Sequence, residues 1–476
     1  MAPYHALMAA LTTSPISENT NPLISATMER LRSTYESGAT RSLDWREAQI
    51  DGVIRFAKDH TEGLLEAMQS DLGRPQTEGW IADVGATISE AEYVKKRFRK
   101  WASPRRAKLP LVLQPGSARI VPEPLGVALI ISPWNYPVNL VLEPMVAAFA
   151  AGNVVVAKPS ELSPATSGLI AQHLPSYVDD GALAIFEGGP EVSTELLAQR
   201  FDHIFFSGST HVGRIVMEAA AKNLTPVVLE LGGKSPVIVA DDADIEVSAN
   251  RIAWGKGLNA GQTCIAPDYV LVTQKNRDAL VEAIGAAWTS FYGDDPQDSP
   301  DFSRIVSNRH HRRLVGLLDG HTVVFGGEHD EDSKYLAPTM VIDPALDSPV
   351  SNEEIFGPIL PIITIDDVDA AIRYVNDRPK PLALYVFSKS KETVDRVLDR
   401  TSSGGACVNH TMMHFAPPEL PFGGVGASGM GSYHGKFGFD AYSNLKGVLR
   451  KPMAGENQLA YPPYSGRKSR FLRKIT

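Results

Sequence analysis

Between residues 43 and 72 the apolar positions recur at helical spacing: Ile50, Val53, Ile54 and Ala57, then Leu64, Leu65, Met68 and Leu72. Three- and four-residue steps put such side chains on one helix face, so this stretch predicts helices, with another around 81–101. Residues 103–124 break the rhythm. Five prolines and alternating polarity there predict an extended arm. The pattern then changes to short apolar runs alternating with helical segments. Strands are predicted over 126–132, 153–158, 203–207 and 225–231, with helices over 140–151, 165–174 and 212–221. A second alternating region follows, with strands at 236–240, 269–273, 385–387 and 405–409 and a helix over 278–292. Alternation at this spacing implies parallel sheets with right-handed crossovers, hence two α/β domains and an extended arm.

The chain has 476 residues, enough for two to four domains at about 100–200 residues each. Hydrophobic residues are 43% and charged residues 21%, so a core is well supplied and global disorder is excluded. Lys and Arg number 46 against 55 Asp and Glu, a net charge of −9, which argues against a nucleic-acid binder. Two cysteines exclude a disulfide scaffold and fit a reducing compartment. The nearly apolar run 144–157 is interrupted by Gly152 and Asn153 and is too short to span a bilayer. No Lys or Arg precedes Arg30, so the mildly apolar start is not read as a secretory signal. Residues 12–22 read as a loose tail. The basic C-terminal stretch, with Arg467, Lys468, Arg470, Arg473 and Lys474, reads as a solvated tail without an anchor.

Ligands of open parallel sheets bind beyond the carboxyl ends of the strands. Polar groups collect at those ends: Asn135 after the first strand, Lys158 ending the second, Ser207 and Gly208 ending the third, and Glu230 ending the fourth. Residues 205–214 form a strand, a glycine turn and a helix start, which offers free N–H groups and a helix dipole to an anion. The segment lacks the GxGxxG spacing, and alone it reads rather as a plain connection. Lys158 and Glu161 can both hydrogen-bond ribose hydroxyls, or form a surface ion pair. Cys264 sits in a loop punctuated by Gly261 and Pro267, where a thiol near backbone N–H groups can act as a nucleophile. A buried structural cysteine is the competing reading, and for Cys407, in a strand-like setting, that reading wins. Glu230, between Leu229 and Leu231, suits a general base raised by an apolar site or a core ion pair. Asn135 is either a turn residue or an amide aimed at a developing oxyanion.

Taken together, the motifs resemble the aldehyde dehydrogenase superfamily, and within it the class 3 group. They are Pro133-Trp134-Asn135-Tyr136-Pro137, Lys158-Pro159-Ser160-Glu161, the turn from Ser207 to Gly213, Glu230-Leu231-Gly232-Gly233-Lys234 and Gly261-Gln262-Thr263-Cys264. Glu353-Glu354-Ile355-Phe356-Gly357-Pro358 and Pro421-Phe422-Gly423-Gly424-Val425-Gly426, the latter leading into Ser428-Gly429-Met430-Gly431, follow in the family's order. Tyr433-His434-Gly435-Lys436 points to class 3. The resemblance runs from about residue 30 to 450.

It implies a Rossmann-type cofactor domain (26–103 and 125–231), an α/β catalytic domain (232–440), a tail (1–25) and small extended oligomerisation segments (104–124 and 441–476). It implies oxidation of medium-chain aliphatic or aromatic aldehydes to carboxylic acids with NAD or NADP, and no metal. Cys264 would be the nucleophile. The Asn135 amide and the Cys264 N–H would hold the oxyanion, and Glu230 would activate the deacylating water. Lys158 and Glu161 would face the adenosine ribose, with Ser207, Gly208 and Gly213 near the pyrophosphate. Glu354 would bind the nicotinamide ribose, with Phe356 beside the ring. Trp254 and Tyr136 would line the aldehyde pocket. A cytoplasmic homodimer without an integral membrane segment is expected. Residues 1–25 have no counterpart in the resemblance. His410 stands where the family often has an acid, and His211 at a variable place. The competing functions are a coenzyme-A-acylating enzyme, which a base at Glu230 argues against, and a cofactor-independent thioesterase or esterase, which the ribose and pyrophosphate motifs argue against. A silent binding protein would be expected to have lost Cys264.

Overall fold

A computed structural model describes residues 22–110, 113–454 and 461–475. A six-stranded sheet runs in the order Gly429–Met430, Val227–Glu230, His203–Ser207, Val127–Ile131, Val154–Lys158 and Leu183–Ile185. All its pairings are parallel except that of Gly429–Met430 with Val227–Glu230. Every residue of Val127–Ile131, Val154–Lys158 and His203–Ser207 is buried. Strands covered on both faces must read as continuous apolar runs, and these do. Helix Asn139–Ala151 is buried along its whole length, between the sheet and helices Leu43–Asp59 and Gly85–Trp101.

The seven-stranded sheet has the order Val323–Phe325, Thr339–Ile342, Ile359–Ile365, Tyr269–Thr273, Pro236–Val239, Ala383–Phe387 and Gly405–Val408. Only the pairing of Val323–Phe325 is antiparallel. One apolar cluster joins the sheets, from Ile130 and Val155 in the first to Val237 and Val270 in the second. The arm is a three-stranded antiparallel sheet of Arg105–Ala107, Ser117–Pro124 and Ser443–Arg450.

Several segments depart from the sequence expectations. Residues 22–25, assigned to the tail, open helix Pro22–Glu36, where Ile24 is buried in the core. Residues 1–21 lie outside the described residues. The expected catalytic span 232–440 is not continuous in space. Gly429–Met430 returns to the first sheet, and helix Gly435–Ala441 packs on helix Asn139–Ala151. The basic C-terminal stretch is a helix, Gly466–Ile475. No helix among the described residues is long and apolar enough to cross a membrane.

Candidate active site

Polar side chains stand at the carboxyl ends of the parallel strands of the first sheet. Lys158 ends its strand almost wholly buried, and its Nζ donates to Glu161 Oε2 at 2.7 Å. Ser207 lies opposite Glu230 in register, and the Gly208 N–H donates to the Glu230 carbonyl at 3.0 Å. Helix Thr210–Ala221 starts immediately afterwards, capped by the Ser209 hydroxyl accepting from the Val212 N–H. A side chain at Gly213 would come within 2.5 Å of Leu231, so this helix lies close against the chain leaving the fourth strand. The amine and carboxylate end one strand, and the twelve-residue helix follows another, with Val127–Ile131 between the two in the sheet; a helix N-terminus offers N–H groups to an anion.

Cys264 lies on a loop held from both sides. The chain enters it through three left-handed residues, Asn259, Ala260 and Gly261, with φ of 51°, 49° and 72°. Such backbone persists only where neighbours over-determine it. Asn259 Nδ2 donates to the carbonyls of Asn135 at 3.0 Å and Gln262 at 3.1 Å, while its Oδ1 accepts from Arg74 Nε at 3.2 Å. Gln262 Nε2 donates to the carbonyls of Asn259 and Arg304, and its Oε1 accepts from the Val306 N–H. Thr263 Oγ1 and Tyr136 Oη are hydrogen-bonded at 2.7 Å. Tyr385 Oη donates to the Ile265 carbonyl at 2.5 Å. The thiol therefore has little freedom. It is part-exposed to a cavity yet deep beneath the protein surface. Burial pushes it up to about 12, and the Glu354 and Glu230 charges add to the rise.

The carboxylates and the amide converge on this loop. Burial raises the Glu230 carboxyl well above the ordinary range. Neither of its oxygens has a hydrogen-bond partner among the described residues. Glu354 is pushed up to about 7 by burial, against the pull of a Gly233 backbone hydrogen bond. Its carboxyl occupies the space that a side chain at Gly232 would need. Lys234 donates to the Glu353 carbonyl at 2.8 Å and to Asp268, whose other oxygen accepts from the Ile355 N–H at 3.0 Å. Phe356 packs edge-on against Trp134, with centroids 5.4 Å apart. Asn135 Nδ2 donates to the Gln262 carbonyl at 3.1 Å.

A cavity of about 590 Å³ opens beside the loop. Cys264, Tyr136 and Trp254 are in its wall, with Trp80, Leu140 and Phe415. Asn135 and Glu230 lie outside that wall. His410 stacks edge-on against Trp254, with centroids 5.8 Å apart. Cys407 is in strand Gly405–Val408, opposite Tyr385.

The sequence reading did not identify the support behind Asn135. Arg74 is almost fully buried, pairs with Asp83 at 2.9 Å and donates to the Asn135 carbonyl. Asp83 in turn accepts from the Val138 and Asn139 N–H groups. The available signal was Asp83 itself, a carboxylate between Ala82 and Val84 in an apolar stretch.

The chain matches the aldehyde dehydrogenase family over residues 12–448, so the match begins well before residue 30. It is 48% identical over 447 residues to aldehyde dehydrogenase family 3 member B1 of Rattus norvegicus, covering 94% of this chain and 96% of the relative. It is 48% identical over 443 residues to aldehyde dehydrogenase family 3 member A2 of the same species, covering 93% and 92%. Among solved structures, a substrate-bound state of Staphylococcus aureus AldH superposes with a TM-score of 0.93 at 41% identity, covering 95% of this chain and 99% of that one. A mutant of the P. syringae indole-3-acetaldehyde dehydrogenase AldA, in complex with NAD+ and IAA, gives 0.83 at 27% identity, covering 90% and 89%. The chain belongs to the aldehyde dehydrogenase family, among its class 3 members, and is an NAD(P)-dependent enzyme that oxidises aldehydes to carboxylic acids.

Proposed function

We propose that Cys264 is the nucleophile of this oxidation, acting on medium-chain aliphatic or aromatic aldehydes held in the apolar cavity. The observation that carries the reading is the position of the thiol in that cavity's wall, on a loop tied to Asn135 through Gln262. The Cys264 thiol gives up its proton to solvent, and the thiolate attacks the aldehyde carbonyl to form a thiohemiacetal. The Asn135 amide and the Cys264 N–H donate to its oxyanion. Such donors act strongly because they are fixed before charge develops. NAD(P)+, when bound, would supply the hydride acceptor needed to reach the thioester oxidation level. Glu230 takes a proton from the water that hydrolyses this thioester. Its lack of hydrogen-bond partners among the described residues leaves both oxygens free to hold that water.

Lys158 and Glu161 would hold the adenosine ribose, and Ser207, Gly208 and Gly213 would surround the pyrophosphate. Glu354 would bind the nicotinamide ribose, with Phe356 beside the ring. Tyr136 and Trp254 would shape the aldehyde end. The cofactor domain comprises 26–103 and 125–231, completed by the returning segment around Gly429–Met430, and the catalytic domain is the rest of 232–440. Segments 104–124 and 441–476 would join two copies into a homodimer. Leu445 and Leu449, half-exposed on strand Ser443–Arg450, support this. Light scattering should give a dimer mass, and a monomer mass would contradict it. A cytoplasmic setting is supported by two free cysteines; fractionation should find the enzyme in the cytosol, and recovery elsewhere would contradict it.

The test of the chemistry is mass spectrometry of the Glu230→Gln variant after incubation with hexanal and NAD+. An acyl group on the Cys264 peptide is expected. Reduced cofactor formed with that peptide unmodified would overturn the pairing of Cys264 as nucleophile with Glu230 as the deacylating base.

A further inference from the structure

The wall of the aldehyde cavity has a polar corner that the chemistry at Cys264 does not use. Glu143, from helix Asn139–Ala151, and His434, at the start of helix Gly435–Ala441, meet there. Both side chains are 4% exposed, and Glu143 Oε2 lies 3.5 Å from His434 Nε2. Neither atom has a hydrogen-bond partner among the described residues. The other Glu143 oxygen accepts from Asn139 Nδ2 at 2.5 Å. Glu90, also facing the cavity, accepts from the Gly435 N–H at 2.6 Å. An unpartnered polar atom in such a place costs free energy that a ligand hydrogen bond recovers.

The charge states narrow the ligand. Burial and the neighbouring Glu90 carboxyl raise Glu143 well above its ordinary value. Burial lowers His434 to about 3. Both shifts favour the uncharged forms, a carboxyl facing a neutral imidazole. A hydroxyl both donates and accepts one bond, which matches two neutral unpartnered atoms. An ammonium would need Glu143 ionised, which burial and Glu90 oppose, and would itself lose its hydration.

We propose that Glu143 and His434 form a subsite for a hydroxyl group carried by the aldehyde away from its carbonyl, so that the enzyme selects hydroxyaldehydes over plain alkanals of equal length. The proposal rests on the reading of Cys264 as the nucleophile in this cavity.

The test compares kcat/KM for straight-chain alkanals, ω-hydroxyalkanals and ω-aminoalkanals over a ladder of chain lengths. At one length the hydroxyaldehyde should be favoured by about tenfold or more, as expected for a pair of buried hydrogen bonds. Glu143→Leu should abolish that ratio and Glu143→Gln should keep it. Each ratio compares two substrates on one protein, so a general loss of activity cancels. A wild-type enzyme that oxidises alkanals without preferring the hydroxyl at any length would overturn the subsite and leave the Cys264 chemistry standing. A preference for the amine, or one that survives Glu143→Leu, would also overturn it. Oxidation of no aldehyde would remove both readings.

Discussion

The Asn135 side chain donates to the main-chain carbonyl of Gln262 at 3.1 Å, two residues before Cys264. This bond ties the turn after the first strand of the cofactor sheet to the loop that carries the thiol. One Nδ2 hydrogen is spent on the tie, which leaves the second as a donor for substrate. The amide is thus set relative to the sulfur before any substrate arrives.

Asn135→Ala should therefore damage catalysis more than folding. Loss of one oxyanion donor typically lowers kcat by ~10²–10³. Arg74 and Asn259 hold the Asn135 main-chain carbonyl, which the substitution leaves in place. Steady-state rates should fall by that amount while the thermal melt changes little. A normal kcat would remove Asn135 from the mechanism.

Arg74→Ala should act in the opposite sense, mainly on stability. It strips Asp83 of its buried partner and leaves the carbonyl of Asn135 short of a donor. Breaking a buried pair in this way costs about 3–5 kcal/mol. Denaturant unfolding of the variant checks the figure, and an unchanged midpoint would contradict the packing described around Asn135.

The fold's outline was legible because parallel strands buried on both faces must be apolar runs, as in Val154–Lys158 and His203–Ser207. The candidate site was legible as a set of polar residues that stand out at the ends of such runs, Lys158 and Glu230 above all. Ile359–Ile365 escaped because Pro361 interrupts it; the proline sits one residue before pairing with Tyr269–Thr273 begins. Leu183–Ile185 is too short to show a period. Arg74, Glu143 and the pairing of Glu143 with His434 escaped for another reason. Spacing does not distinguish a buried charged residue from a solvated one, and only the packing of helix Asn139–Ala151 brings Glu143 and His434 together.

Activity should rise with pH through a range above that of ordinary carboxylates. Burial raises Glu230, so its basic form is scarce at low pH and grows as pH increases. The thiol, pushed up to about 12, contributes in the same direction. A kcat profile should climb on the alkaline side of neutrality. A profile already flat from mildly acidic pH upward would contradict the burial argument.

Glu161→Gln should favour NADP over NAD. Glu161 is exposed, with Oε2 2.7 Å from Lys158 Nζ; at the proposed adenosine ribose position its charge would oppose a 2′-phosphate. Removing one unit charge near the surface is worth about 1 kcal/mol, or roughly fivefold in the ratio of KM values. An unchanged ratio would place the adenosine ribose away from Glu161.

In the proposed chemistry the Cys264 thiol carries the aldehyde through oxidation. The most direct measurement follows nicotinamide reduction by wild type and Cys264→Ala, with NAD+ and then NADP+, against aliphatic and aromatic aldehydes. Reduced cofactor should accumulate with wild type and be lost in the variant, although cofactor binding, read by fluorescence, persists. Turnover by Cys264→Ala at the wild-type rate would contradict the account.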